Sequence, residues 1–282
     1  MNRHTYLLAL AAAALALAGC RRAPPPPGGA LRLVSTAPNL TEILFAIGAG
    51  DCLAGRTDVC DYPPEAARVP ITGGFANPWL EPLLAAHPTH VLECALENPA
   101  LEQHLAAHNI PLVHIPCARL RDIPGAILQL GALTGRQAQA QALAERIRAH
   151  VSTPGPQPPA PPSVLLLLAP DTPITAGADT FVSELLTLAG GANAAAHAAG
   201  YHRVSLEWLL ARNPDIILCL FDPQGQDPAA LFAARTGWKA LTAVREGRVK
   251  AVPGLDTVLR PGPRVLDGLE QLRSVMRDER HN

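Results

Sequence analysis

Residues 80–92 read L-E-P-L-L-A-A-H-P-T-H-V-L, and residues 206–218 read L-E-W-L-L-A-R-N-P-D-I-I-L. Both follow Leu-Glu-x-Leu-Leu-Ala-x-x-Pro-x-x-apolar-Leu, 126 positions apart. Leucines at i, i+3 and i+4 (Leu80, Leu83, Leu84 and Leu206, Leu209, Leu210) predict a short helix with one apolar face. Pro88 and Pro214 predict its end, because the residue before a proline avoids the α region. Val91-Leu92 and Ile216-Ile217-Leu218 then predict strands buried on both faces. A helix feeding a buried strand is the unit of α/β layers with a parallel sheet, so two copies predict two such halves.

Glu81 and Glu207 hold the same place in the two copies. A glutamate in a first helical turn stabilises that turn by roughly 0.3–1 kcal/mol, which accounts for either one alone. The matched pair predicts an acidic knob on each half.

Outside the repeats, the N-terminus has the grammar of export. A basic start, Asn2-Arg3-His4, precedes an apolar stretch from Leu7 to Ala18. That stretch is shorter than the ~20 residues a spanning helix needs and reads as a secretory signal. Leu17-Ala18-Gly19-Cys20 resembles a lipobox, which implies lipidation of Cys20 and a membrane anchor facing the periplasm or the cell exterior. Residues 1–20 are thus read as the signal and 21–30, with four consecutive prolines, as a semi-rigid tether. The boundaries that follow are an N-terminal α/β half over 31–120, a helical region over 121–152 and a C-terminal α/β half over 153–282. Within the helical region, Ala140, Leu143, Ile147 and Val151 mark one face of a helix long enough to act as a strut.

A net charge of −1 gives no reason to expect nucleic acid as a partner. Five cysteines follow Cys20: Cys52, Cys60, Cys94, Cys117 and Cys219. Export makes a disulfide plausible, while the odd number leaves at least one thiol unpaired or paired in trans. Cys94, Cys117 and Cys219 sit late in apolar runs and read as small buried hydrophobes. No G-x-G-x-x-G, phosphate loop, G-x-S-x-G or H-E-x-x-H is present, and no enzymatic activity is expected.

Ser35-x-Ala37-Pro38-Asn39-x-Thr41-Glu42, Cys60-Asp61-Tyr62-Pro63-Pro64, the two Leu-Glu repeats, Gly190-Gly191-Ala192-Asn193 and Asp256-x-x-x-Arg260-x-x-x-Arg264 occur in that order. Together they resemble the substrate-binding proteins of bacterial ABC importers, in the group that handles vitamin B12, siderophores and haem. The resemblance implies two Rossmann-like α/β lobes joined by one long rigid helix, with ligand between them and little closure. It implies a monomer without cofactor that docks Glu81 and Glu207 onto the permease of a permease–ATPase complex. The vitamin B12 branch resembles this chain most, through Asp61-Tyr62-Pro63-Pro64 and the Asp256/Arg260 pair. In that branch Asp256 and Arg260 would meet the polar edge of a corrinoid. Phe75 and Tyr201 stand at matching aromatic positions, whereas Val59, Ile174 and Glu93-Cys94 stand where aromatics are expected.

The alternatives within the family are a ferric siderophore, with Arg56, Arg203 and Arg260 as its cations, and haem. Haem would need an axial ligand, for which Tyr62, Tyr201 and His202 are candidates, with Tyr62 better suited to a structural turn. A bare metal ion is the weaker option: His104 and His108 share a helix face but have no third ligand nearby in sequence.

Overall fold

The computed structural model describes residues 30–94, 98–151 and 159–277. The expected signal, Cys20 and the tether up to residue 29 lie outside the described residues, and Leu31–Asn282 forms one compact unit.

The first sheet holds β1 (Leu33–Ser35), β2 (Leu53–Thr57), β3 (Ile71–Gly74), β4 (Asn77–Pro78), β5 (His90–Glu93) and β6 (Leu112–His114), in the order β4-β3-β2-β1-β5-β6. All neighbours are parallel except β3 and β4. Helices α1 (Pro38–Ala46), α2 (Leu80–Ala85) and α3 (Pro99–Ala107) connect them. A helical pair follows, α4 (Ile123–Thr134) and α5 (Gln137–Val151). Gly135 turns the chain between them at φ +72°. At Gly131 a Cβ would come within 2.3 Å of the Ala140 Cβ, so only glycine lets the two helices pack this closely. The 15 residues of α5 span roughly 22 Å and deliver the chain to the second sheet.

That sheet holds β7 (Ser163–Ala169), β8 (Ile174–Ala176), β9 (Ala192–Asn193), β10 (Tyr201–Arg203), β11 (Ile216–Cys219) and β12 (Val249–Ala251). The order is β10-β8-β7-β11-β12, with β9 beside the first residues of β7. β7, β11 and β12 are parallel, while β8 and β10 form an antiparallel edge. Helices α6 (Phe181–Ala189), α7 (Leu206–Arg212), α8 (Pro228–Ala233), α9 (Thr242–Arg245), α10 (Leu255–Leu259) and α11 (Val265–Arg277) complete the fold. Neither sheet is purely parallel: each carries one antiparallel edge, and both edges contribute to the candidate site.

The repeat units are α2 with β5 and α7 with β11, as their sequences predict. Side chains alternate across a strand, and the equivalent residues of the two copies divide in the same way. Val91 and Ile217 join the outer clusters that hold Leu83 and Leu209 from the repeat helices. Leu92 and Leu218 point the other way, into one continuous core that also takes in Leu40, Ile127, Ile147, Val164, Leu186 and Leu272. Burying a leucine or isoleucine of this kind stabilises by about 1.5–3 kcal/mol. Leu210 departs from the predicted apolar face and is exposed.

Candidate ligand cleft between the two sheets

In open α/β sheets, ligands bind outside the carboxyl ends of the strands. Here the loops leaving β1, β2 and β6 meet the segment that follows β12. Asn39 Nδ2 donates to the Pro261 carbonyl at 3.1 Å, and the Cys117 thiol donates to the same carbonyl at 3.0 Å. Farther along, Glu184 of α6 receives the Arg119 Nε at 2.8 Å and the Leu120 amide at 2.9 Å.

An ion network forms the centre of this junction. Glu42, on α1, has a side chain only 2% exposed. Its carboxylate accepts a two-pronged contact from Arg264, Nε at 2.9 Å and Nη2 at 2.6 Å, and a third bond from Arg260 Nη1 at 3.2 Å. A fork of this kind suits guanidinium against carboxylate. Arg264 also lies 3.9 Å from the centre of the Tyr62 ring, a cation–π contact. Arg260 reaches three further acceptors: Asp61 Oδ1 at 2.6 Å, the Val59 carbonyl at 3.3 Å and Asp256 Oδ1 at 2.8 Å. The hydrogen bond from Arg260 holds the Asp61 carboxyl below the usual carboxylate range, so Asp61 is ionised at neutral pH.

The members of this network differ in energetic weight. Removing one partner of a buried ion pair strands the other charge and costs about 3–5 kcal/mol, which describes Glu42. Asp61 is 60% exposed on its side chain, and exposed pairs contribute ~0–1 kcal/mol. Glu42 therefore ties the lobes together, and Asp61 is the member that can be exchanged.

Asp256 and Arg260 are thus brought together as expected, but Arg260 does not present a free guanidinium. Each of its terminal nitrogens already serves two protein acceptors. Sequence reasoning missed Glu42, Asp61 and Arg264 as members of this site. The i, i+4, i+8 spacing of Asp256, Arg260 and Arg264 was a usable signal, because one carboxylate cannot neutralise two arginines.

Around the network stand the other predicted ligand residues. Phe75 is 52% exposed at the tip of the β3–β4 hairpin. Gly73 makes that hairpin possible, since a Cβ there would lie 2.4 Å from the Pro78 Cα. Val59 is exposed in the loop after β2. On the second sheet Arg203 pairs in register with Ile174, and Tyr201 with Ala176. Residues opposite one another share a face, so Tyr201 (56% exposed), Arg203 and Ile174 lie on one side of this edge. Cys94 is buried and donates to Asn39 Oδ1 at 3.5 Å. It borders a pit of about 10 Å³ together with Phe75 and Glu93, room for about one water. A broader concavity of about 810 Å³ runs along α5, between Phe45, Tyr62, Leu143, Arg146 and Arg264. Of the residues predicted to meet a ligand it contains only Tyr62, a candidate for haem.

Residues 33–254, most of the chain, match the family model described as periplasmic binding protein. The chain belongs to the periplasmic binding protein family. A vitamin B12-binding protein of Vibrio parahaemolyticus is 29% identical over 255 residues, which cover 87% of this chain and 90% of the relative. An uncharacterised ABC transporter substrate-binding lipoprotein of Bacillus subtilis is 28% identical, covering 86% and 78%. Among solved structures, a periplasmic haem-binding protein from Roseiflexus sp. RS-1 superposes with a TM-score of 0.75 at 27% identity, covering 89% of this chain and 99% of that one.

Within this periplasmic binding protein, several expected roles change. Arg56 is buried and donates to the carbonyls of Thr57 at 2.9 Å and Val69 at 3.0 Å. It pins the loop after β2 and is not available to an anionic chelate. Tyr62 has its ring against Arg264, in keeping with its turn role. His202 faces away from Tyr201 along its strand, and its Nε2 is buried without a hydrogen-bond partner. His104 and His108 are exposed on or just past α3, where His104 Nδ1 contacts its own helix carbonyl at Ala100. The five described cysteines are all free thiols, and the disulfide that export makes plausible is absent among them. Burial pushes Cys94 up to about 11 and Cys117 and Cys219 up to about 12, in keeping with their reading as small hydrophobes. Glu81 and Glu207 are both exposed in the first turns of α2 and α7. A hydrogen bond from Ser205 holds the Glu207 carboxyl below its ordinary range, so it stays charged.

Proposed function

We propose that this protein captures cobalamin or a related corrinoid between its lobes and delivers it to the permease of an ABC importer. The observation that carries this reading is the make-up of the cleft. Exposed Phe75 and Val59 on one lobe, with exposed Tyr201 and half-buried Ile174 on the other, supply apolar walls, and the charge of Arg260 is internally matched. A broad, mostly apolar disc with an amide fringe suits such a site. Asp256 can accept from side-chain amides of that fringe, and the vitamin B12-binding relative supports the same ligand class. Haem or a ferric siderophore is the second reading, favoured by Tyr201 and Arg203 standing on one face with no competing ligand on that strand edge.

Glu81 and Glu207 serve as the docking points for the permease, one per lobe. Charges of this kind set orientation more than affinity. Cys20 carries the lipid, a role supported by the lipoprotein relative. The protein works as a monomer without catalysis or cofactor.

Calorimetric titration of residues 22–282 with cyanocobalamin and with dicyanocobinamide tests the ligand assignment. One-to-one binding of either is the expected result. No heat with either, alongside binding of haemin, would transfer the assignment to the second reading.

A further inference from the structure

We propose that Asp61 is a specificity-determining residue that keeps the cleft from accepting carboxylate-bearing chelates. The proposal deepens the corrinoid reading above and rests on the same cleft. Arg260 is the cation that one lobe inserts against the other, and its terminal nitrogens are shared among Glu42, Asp61, Asp256 and the Val59 carbonyl. Glu42 is buried behind it, fixed by Arg264, and cannot be displaced without undoing the junction. Asp61 and Asp256 instead reach Arg260 from the open side, with side chains 60% and 46% exposed. Of these two, Asp61 makes the shorter contact, at 2.6 Å, and it comes from the opposite lobe.

An incoming carboxylate that sought Arg260 would have to displace Asp61 and then sit beside both it and Asp256. Like charges held that close disfavour binding, and they do so specifically against anions. A ligand with neutral amides meets no such penalty, because an amide can donate to Asp61 and Asp256 without breaking their contacts to Arg260. Arg203, on the edge strand β10 of the same lobe as Arg260, stays exposed but has no contact with this network, in which Glu42, Asp61 and Asp256 face Arg260 and Arg264. The arrangement selects by rejecting anionic ligands, not by adding contacts to neutral ones.

Asp61→Asn removes one charge while keeping the shape and a hydrogen-bonding oxygen. Absorbance titration with haemin, a ferric porphyrin carrying two carboxylates, reads the effect. The variant should bind haemin at least tenfold more tightly than the parent. The gain should disappear in Asp61→Asn/Arg260→Gln, with thermal unfolding confirming that each variant is folded. Haemin affinity that is the same in parent and Asp61→Asn, including undetectable in both, overturns the assignment, as does a gain that survives loss of Arg260. Cyanocobalamin titrated in parallel separates this from the ligand reading. A parent that ignores cyanocobalamin while Asp61→Asn gains haemin affinity would refute the corrinoid proposal and leave Asp61 in its role.

Discussion

Glu42 has the largest consequence of any single side chain in the junction. Its carboxylate is buried, yet it receives three guanidinium hydrogen bonds from residues 218 and 222 positions away. Glu42→Gln keeps the volume and takes from Arg264 the carboxylate it pairs with, while Arg260 keeps Asp61 and Asp256. It should lower unfolding stability by about 3–5 kcal/mol, readable as a shift in the urea midpoint. A loss below 1 kcal/mol would mean that solvent reaches the pair and that apolar packing alone holds the lobes. This network was beyond the reach of sequence reasoning for a simple reason. The spacing of Asp256, Arg260 and Arg264 is local and can be read, but their shared partner lies on another sheet. The resemblance places Arg260 at the ligand, and the structure gives its donors to protein acceptors.

At the scale of elements, the repeated helix–strand unit was the part most open to prediction. Its signals were all short-range: leucines on one face, a proline stop and an apolar strand. The antiparallel edges were not legible. The β3–β4 hairpin turns through Phe75 and Ala76, with Ala76 at φ +51°, where an Asn-Gly or Asp-Gly pair would have announced it. The strand Ile174–Ala176 is three residues long, too short for a period of two to stand out. Both repeat helices present their glutamates to solvent and bury Leu83 and Leu209, so the proposed docking residues lie apart from the packed positions. Replacing Glu81 and Glu207 together by alanine should leave ligand affinity and melting temperature near those of the parent. Co-purification with the permease complex and ligand uptake should both be lost. Normal uptake by the double variant would remove the docking assignment.

Taken as a whole, the molecule is two sheets around a single apolar interior. Leu33, Leu92, Ile123 and Ile147 belong to the same cluster as Val164, Leu218, Leu269 and Met276. Two lobes with separate cores could melt separately, as multi-domain proteins often do. Here scanning calorimetry should show one transition, with equal calorimetric and van't Hoff enthalpies. Two resolved transitions would mean that the shared cluster contributes little to coupling the lobes.

That shared interior also sets a timetable. The cluster on the inner side of the first sheet is incomplete until Val164, Leu166 and the helix ending at Arg277 have been synthesised. At ~5–20 residues per second, the chain beyond residue 163 takes roughly 6–24 s to appear. Throughout that interval the early half lacks part of the interior it shares. For a member of a periplasmic family that delay is useful, because a half with an incomplete core is easier to thread across a membrane than a finished one.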